Sequence, residues 1–285
     1  MAKQRGIRYF SADSFDLQEA LASLGQVFIN DSIGIVVNGS PKSVPFLKEG
    51  QIYHIVEPRL LLILDGHAEV NLNMERYLIN KGSVVMTTAD VIMETEMWSD
   101  DMRLVGFLIK EDMHIGENMV VQLQPKEFDC LLRMAFLLWD IANRQPFHRE
   151  TVRHLLMTIV SEIKYIKEEQ ESSDVKELPS RQQQLFHEFK TLVNKHCECE
   201  RKIPFYASHL RITPHHLSAV IKEASGQSVM YWINRAVLLR AKVLLKTSGM
   251  MSYEVAERLN FVSSSAFSNF FKRETGMTPR EFQKA

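Results

Sequence analysis

The segment Tyr206–Gly226 returns in altered form as Val255–Gly276. A repeated unit of this size is one supersecondary motif used twice, so the end of the chain must fold as a pair of like modules. In the front of each copy Ala207 matches Ala256, Leu210 matches Leu259, and Ile212 matches Phe261. Behind the turn Leu217 matches Phe267, Ser218 matches Ser268, Lys222 matches Lys272, and Gly226 matches Gly276. The second copy carries one extra residue in its turn. Each copy reads as a short helix, a tight turn and a longer helix, the helix-turn-helix organisation. Thr213 supplies an N-cap, Pro214 the first helical position and Gly226 a stop. Thr278-Pro279-Arg280-Glu281 is a capping box that opens a short closing helix.

Val229 to Lys246, between the copies, contains no helix breaker. Val229, Trp232, Ala236, Leu239 and Val243 form one apolar stripe, and Ile233, Val237 and Leu244 a second, so this helix packs against both neighbours. About 18–20 helical residues span roughly 27–30 Å, close to one DNA turn of about 34 Å. A connector of that length sets two second helices into successive major-groove segments. A plain helical bundle needs neither the repeat nor the matching length. Base readout needs polar side chains on the exposed leading face of each second helix. Those positions hold His215, His216, Ser218 and Ala219 in the first copy, and Ser264, Ser265, Ser268 and Asn269 in the second. Asn269 suits adenine N6/N7. Lys222, Lys272 and Arg273 suit phosphates, which gives affinity without sequence choice.

A formal net charge of −1 argues against a nucleic-acid binder until it is divided. Residues 1–171 hold 17 Lys+Arg against 25 Asp+Glu, and residues 172–285 hold 17 against 10. The balances are −8 and +7, so a basic module is joined to an acidic one. The cut falls in the polar stretch 172–180, ending near Pro179, which reads as a linker. About nine flexible residues give a mean reach of roughly 15–18 Å. The organisation expected is therefore 1–171, linker 172–180, and 181–285.

The first part reads as strands followed by helices. Leu60–Leu64 is a strand, Asp65-Gly66 has the signature of a two-residue hairpin turn, and His67–Leu72 alternates on the return. Lys81-Gly82 turns into Ser83–Thr88; Val91–Trp98 and Met102–Lys110 add strands. Short strands at this spacing suggest an antiparallel barrel or sandwich. After Pro125 the period becomes helical, over Glu127–Asn143 and Arg149–Glu169. In the second helix Val152, Leu156, Ile159, Ile163 and Ile166 are spaced 4, 3, 4, 3. That spacing fits either a helix packed on its own barrel or a self-association helix.

A small barrel can hold a ligand or a metal. His54 and Glu57 are placed on one strand and His67 past the next turn, with no His-x-His, so the converging ligands of a metal-binding barrel are not found. Tyr53, His54 and Trp98, near strand ends, are the candidate pocket residues. His196-Cys197-Glu198-Cys199 has Cys-x-Cys spacing tighter than structural zinc sites use, and reads as a polar helix end. Three cysteines do not make a disulfide framework and fit a reducing cytosol. No apolar run approaches a membrane span, and the first residues lack the apolar core of a secretory signal.

The end of the chain resembles the AraC/XylS family of bacterial transcription regulators. The resemblance covers roughly residues 185–285. It is carried by Leu217-Ser218, Lys222 and Gly226, and by Asn260-Phe261 followed by Phe267-Ser268-Asn269-Phe270-Phe271-Lys272-Arg273-Glu274-Thr275-Gly276-Met277-Thr278-Pro279-Arg280-Glu281-Phe282. It implies two helix-turn-helix units joined by a long helix, both second helices in the major groove, and an N-terminal cupin-like barrel for sensing and dimerisation. His215, His216, Ser218 and Ala219, and Ser264, Ser265, Ser268 and Asn269, fall on the family's base-facing positions. The family usually has Gly at Asn260, an aromatic at Ala266 and a basic residue at Asn269.

The fold class expected is α+β multidomain, with an antiparallel β-barrel and two helices followed by an all-α double helix-turn-helix domain. The expected function is a cytoplasmic, DNA-binding transcription regulator and not an enzyme. Its expected partners are double-stranded DNA, a second copy through the 126–169 helices, RNA polymerase and a small-molecule effector, with no cofactor and no membrane. The alternatives are a cupin-type metal enzyme with an accessory helical domain, and a regulator whose first domain only dimerises or binds a protein.

Overall fold

The structure is a computed structural model that describes residues 7–10, 26–44, 47–110, 115, 117–173, 181–247 and 250–284. It divides into two compact units, with the boundary between Asp174 and Val175. Residues 174–180 of the expected linker lie outside the described residues. Its first two, Ser172 and Ser173, end a helix.

The first unit is built on two antiparallel sheets. Its strands are β1 (Ile7–Phe10), β2 (Val27–Ile29), β3 (Ile33–Gly39), β4 (Ile52–Ile55), β5 (Arg59–Asp65) and β6 (His67–Leu72). They continue with β7 (Glu75–Asn80), β8 (Ser83–Thr87), β9 (Val91–Trp98), β10 (Arg103–Ile109) and β11 (Met119–Gln122). One sheet has the order β1-β4-β9-β6-β7, the other β11-β8-β5-β10-β3-β2. Helices α1 (Pro125–Ala142) and α2 (Arg149–Ser173) follow.

The six-stranded sheet is buried on both faces, which explains why β5 is an unbroken apolar run rather than an alternating one. Leu60 and Leu62 pack with Val84, Met86, Val105 and Phe107 against α1 and α2. Leu61 and Ile63 face the other way, toward Val70, Val85 and Val91 between the sheets. The unit is thus layered as sheet, sheet, helices.

The structure changes three readings in this unit. The expected Asp65-Gly66 hairpin is not made, because β5 and β6 belong to different sheets: β5 pairs with β10 and β8, and β6 with β7 and β9. Gly66, at φ +81°, carries the chain across; a Cβ there would stand 2.5 Å from Ser99 Oγ and 2.6 Å from Met102 Cα. The heptad-like stripe is consumed by its own unit. Val152, Leu156, Ile159, Ile163 and Ile166 are all buried in the core under the six-stranded sheet, so they offer no surface to a second copy. Glu57 lies in the bend after β4 and does not share a strand with His54.

The second unit is helical: α3 (Arg181–His196), α4 (Ile203–His209), α5 (Pro214–Ser225), α6 (Val229–Thr247), α7 (Ser252–Arg258), α8 (Ser264–Thr275) and α9 (Pro279–Lys284). Helix α3 packs on α4, α5 and α6, and α6 packs in turn on α7, α8 and α9. Each helix-turn-helix therefore leans on the longer helix that precedes it. Sequence reading supplied α6 within one residue but not α3, a polar helix whose buried residues are Phe189 and Val193.

Candidate nucleic-acid interface

The two turns use one hydrogen-bond pattern. Arg211 N donates to Ser208 O (3.1 Å) and Ile212 N to Ala207 O (3.0 Å). In the second copy Asn260 N donates to Glu257 O and Phe261 N to Ala256 O, both 2.9 Å. This is a Schellman ending, with a left-handed residue after the cap; Arg211 has φ 56° and Asn260 φ 53°. The extra residue of the second turn is Val262, which stands fully in solvent.

The second helices start and stop alike. Thr213 Oγ1 accepts from His216 N (3.2 Å), and Ser263 Oγ from Ala266 N (3.1 Å). Each ends at a left-handed glycine, Gly226 at φ 69° and Gly276 at φ 78°. The repeat continues past the glycines. Ser225 Oγ accepts from Gln227 N as Thr275 Oγ1 accepts from Met277 N, each at 3.2 Å. The Thr278–Glu281 capping box forms: Glu281 accepts from Thr278 N (2.8 Å), and Thr278 Oγ1 accepts from Glu281 N (3.2 Å).

Burial divides each second helix into two faces. Leu217, Val220 and Ile221 are buried in α5, and Phe267, Phe270 and Phe271 in α8. The opposite faces expose His215, His216, Ala219 and Lys222, and Ser264, Ser265, Asn269, Lys272 and Arg273; Ser218 and Ser268 are half-buried. Some of these groups are already engaged. The Ser218 hydroxyl donates to Pro214 O (2.9 Å) on its own helix. Lys222 Nζ donates to Gly226 O (2.6 Å), and so serves the helix end. Arg273 pairs with Glu274 at 2.8 Å.

A link between the two copies escaped the sequence reading. The residues after α3 reach across to the second copy. Glu198 lies 3.6 Å from the Arg240 guanidinium on α6 and 3.4 Å from that of Arg258 on α7. Asn260 Nδ2 donates to Cys199 O at 2.8 Å. Arg201 donates to the Leu259 carbonyl and lies 3.4 Å from the centre of the Phe261 ring. Cys197 is buried, and burial pushes its thiol up to about 11. The segment read as a polar helix end is thus also a clamp holding one helix-turn-helix to the other. Among the described residues no three His, Cys, Asp or Glu side chains converge on a point.

In the first unit the space between the sheets contains a cavity of about 150 Å³. Trp98 lines it; Tyr53 and His54 do not. Tyr53 is buried with Val36, Val44 and Leu108, its hydroxyl accepting from Lys48 N at 2.6 Å. His54 Nε2 lies 3.2 Å from Asp90 Oδ1.

Residues 206–285 match the helix-turn-helix domain family. The chain is 30% identical over 86 residues to the HTH-type transcriptional activator RhaR of Cronobacter sakazakii, 29% of this chain and 30% of that one. It is 34% identical over 68 residues to RhaR of Yersinia pseudotuberculosis, 24% of this chain and 23% of that one. The chain thus spans less than a third of the length of these relatives. Among solved structures, the C-terminal domain of AraT, a response regulator from Geobacillus stearothermophilus, aligns with 37% of this chain and 88% of its own at 24% identity and TM-score 0.35. ToxT from Vibrio cholerae aligns with 89% of this chain and 98% of its own at 16% identity and TM-score 0.39. The repeated caps, the matching turns and the aligned sequence agree: residues 206–285 are a helix-turn-helix domain.

Proposed function

We propose that the chain is a sequence-specific DNA-binding transcription regulator that places α5 and α8 in successive major-groove segments. The observation that carries this reading is the pair of identically capped helices on one shared helix, held together by the Glu198–Arg201 clamp. The nineteen residues of α6 span about 28 Å, against about 34 Å for a DNA turn. His215, His216, Ala219, Ser265 and Asn269 face base edges. Ser218 and Ser268, half-buried, sit at the edge of that face, and Ser264 stands at its leading end. Lys272 meets a phosphate; Lys222 and Arg273 do so after leaving their present partners.

The relatives' role as activators supports activation here through RNA polymerase. The two-sheet unit is a cupin-like sensing module for a small effector. A homodimer forms through the outward side of the 126–169 helices, where Phe136, Leu137 and Tyr165 are exposed, since the inward stripe is occupied. No described helix is long and apolar enough to cross a membrane, in keeping with a cytoplasmic regulator. No catalytic residue or cofactor belongs to this reading.

Selection of the full chain on a random duplex pool, followed by gel shift across a salt series, tests it. The expected product is a motif with two elements about 10–10.5 base pairs apart, bound with affinity that falls as salt rises. A pool without enrichment, or binding indifferent to salt, refutes the regulator.

A further inference from the structure

The two helix-turn-helix copies are joined in two ways. One is α6, on which both copies pack. Its contact faces are apolar, with Ile233, Ala236, Val237 and Ala241 buried. Apolar burial is non-directional. It holds each copy against α6 without fixing how that copy is turned about the helix. The second link is the segment 197–201, and its bonds are directional.

On one side this segment belongs to the first copy. It follows α3, and the hydroxyl of Tyr206, buried on α4, donates to Glu200 O at 2.7 Å. His196 meets Phe205 of α4 edge to face at 5.2 Å. On the other side it grips the turn of the second copy. Arg201 donates to Leu259 O, and Asn260 Nδ2 donates to Cys199 O. The Arg201 guanidinium lies over the Phe261 ring, which stands 5.2 Å from both Phe267 and Phe270 of α8. Glu198 adds Arg240 of α6 and Arg258 of α7. The grip therefore falls on the residues just ahead of Ser263, the N-cap of α8.

On a duplex, one added base pair carries the far element about 3.4 Å along the axis and roughly 34–36° around it. Copies held by α6 alone follow such a change by turning about that helix. Copies also bonded through 197–201 must break those bonds to follow it.

We infer that the segment 197–201 determines spacing specificity: it fixes the separation and phase of α5 and α8, so that the chain accepts one distance between its two DNA elements and rejects its neighbours. Glu198, Arg201 and Asn260 are positioning residues that act on DNA through α8. This rests on the reading of the chain as a DNA-binding regulator, and names a property of its target site.

The test is gel-shift titration of the full chain on duplexes in which the two selected elements are moved together or apart by one base pair. The native chain is expected to lose about 10–100-fold in affinity for either change, the cost of retwisting the spacer. Arg201→Met keeps the length of the side chain without its charge or donors, and should lose no more than about 3-fold for the same changes. Its base preferences within each element should stay those of the native chain. Glu198→Ala, which leaves Arg240 and Arg258 beside each other without their carboxylate, should broaden the profile in the same sense, and decides if Arg201→Met does not fold. Equal tolerance of spacing in the native chain and the variants, or equally sharp selection in both, overturns the inference and leaves the regulator standing. So does a loss that is uniform over all spacings with a salt slope shallower by about one, which would make these side chains phosphate contacts. A native chain that binds no duplex removes the regulator, and this inference with it.

Discussion

The two helix-turn-helix copies share a backbone and differ in what fills it. In the first, α5 buries aliphatic side chains, and the aromatic rings come from neighbours. Phe189 on α3 meets Tyr206 at 5.8 Å, and Phe186 meets Trp232 at 5.2 Å. In the second, the rings come from α8 itself. Phe261 lies 5.2 Å from both Phe267 and Phe270, and Phe271 lies 5.3 Å from Phe282. The supporting helix differs to match, since α6 buries small or aliphatic residues such as Ala236, Ala241 and Val243 beside Val237. Bulk has moved from the supporting helix to the recognition helix while the interior stays filled, the kind of volume-conserving exchange a core tolerates. The exposed faces have diverged more freely: His215 stands opposite Ser265, Ala219 opposite Asn269, and Glu223 opposite Arg273. On the proposed reading, two such modules read two different half-sites.

The largest expected effect probes the buried frame. Phe271→Ala should cost about 3–5 kcal/mol and Ile221→Ala about 2–5 kcal/mol, measured by urea unfolding of the full chain. Because both copies pack on α6 and are joined by the clamp, each substitution should shift one transition for the whole helical unit. Two separate transitions within that unit would break the picture of one coupled pair.

The next effect probes the exposed face. Asn269→Ala should cost about 1–3 kcal/mol of discrimination at one base pair, leaving the other half-site unaffected. The reciprocal change, Ala219→Asn, should add a preference for adenine in the half-site read by α5. Competition binding with single-base variants of the selected site measures both. An Asn269→Ala loss spread evenly over all positions would assign that side chain to the backbone rather than to a base.

The sequence exposed whatever is local. The Thr213 cap, the Gly226 and Gly276 stops and the Thr278–Glu281 box are set within a few residues, and all of them form as read. What it concealed depends on contacts distant in the chain. Asp65-Gly66 reports a tight reversal but not which sheet each strand joins. The stripe from Val152 to Ile166 has nearly the same spacing whether it meets a second copy or its own sheet. Glu198 lies 42 and 60 residues from its two partners, Arg240 and Arg258, and its sequence neighbours read only as a polar helix end. One signal was available and unused. Beyond the glycines, Ser225 and Trp232 recur as Thr275 and Phe282 at the same offset, so the repeated unit includes the start of a third helix. The candidate DNA face was legible because its register follows from the caps.

The smallest expected effect distinguishes the two left-handed turn residues. Arg211 and Asn260 occupy the same backbone position, at φ 56° and 53°. For Arg that conformation costs about 1–2 kcal/mol, whereas Asn adopts it more readily. Replacing either with Gly removes the strain and adds about 0.5–1 kcal/mol of chain entropy to be lost on folding. For Arg211→Gly the two terms nearly cancel, leaving stability unchanged or slightly raised. Asn260→Gly has less strain to relieve and also loses the 2.8 Å bond to Cys199 O, a net loss of about 1 kcal/mol. Urea midpoints at constant slope read both changes. Equal shifts would mean that the Asn260 side chain contributes nothing to the clamp; a loss confined to Asn260→Gly makes that residue both turn former and tie between the two copies.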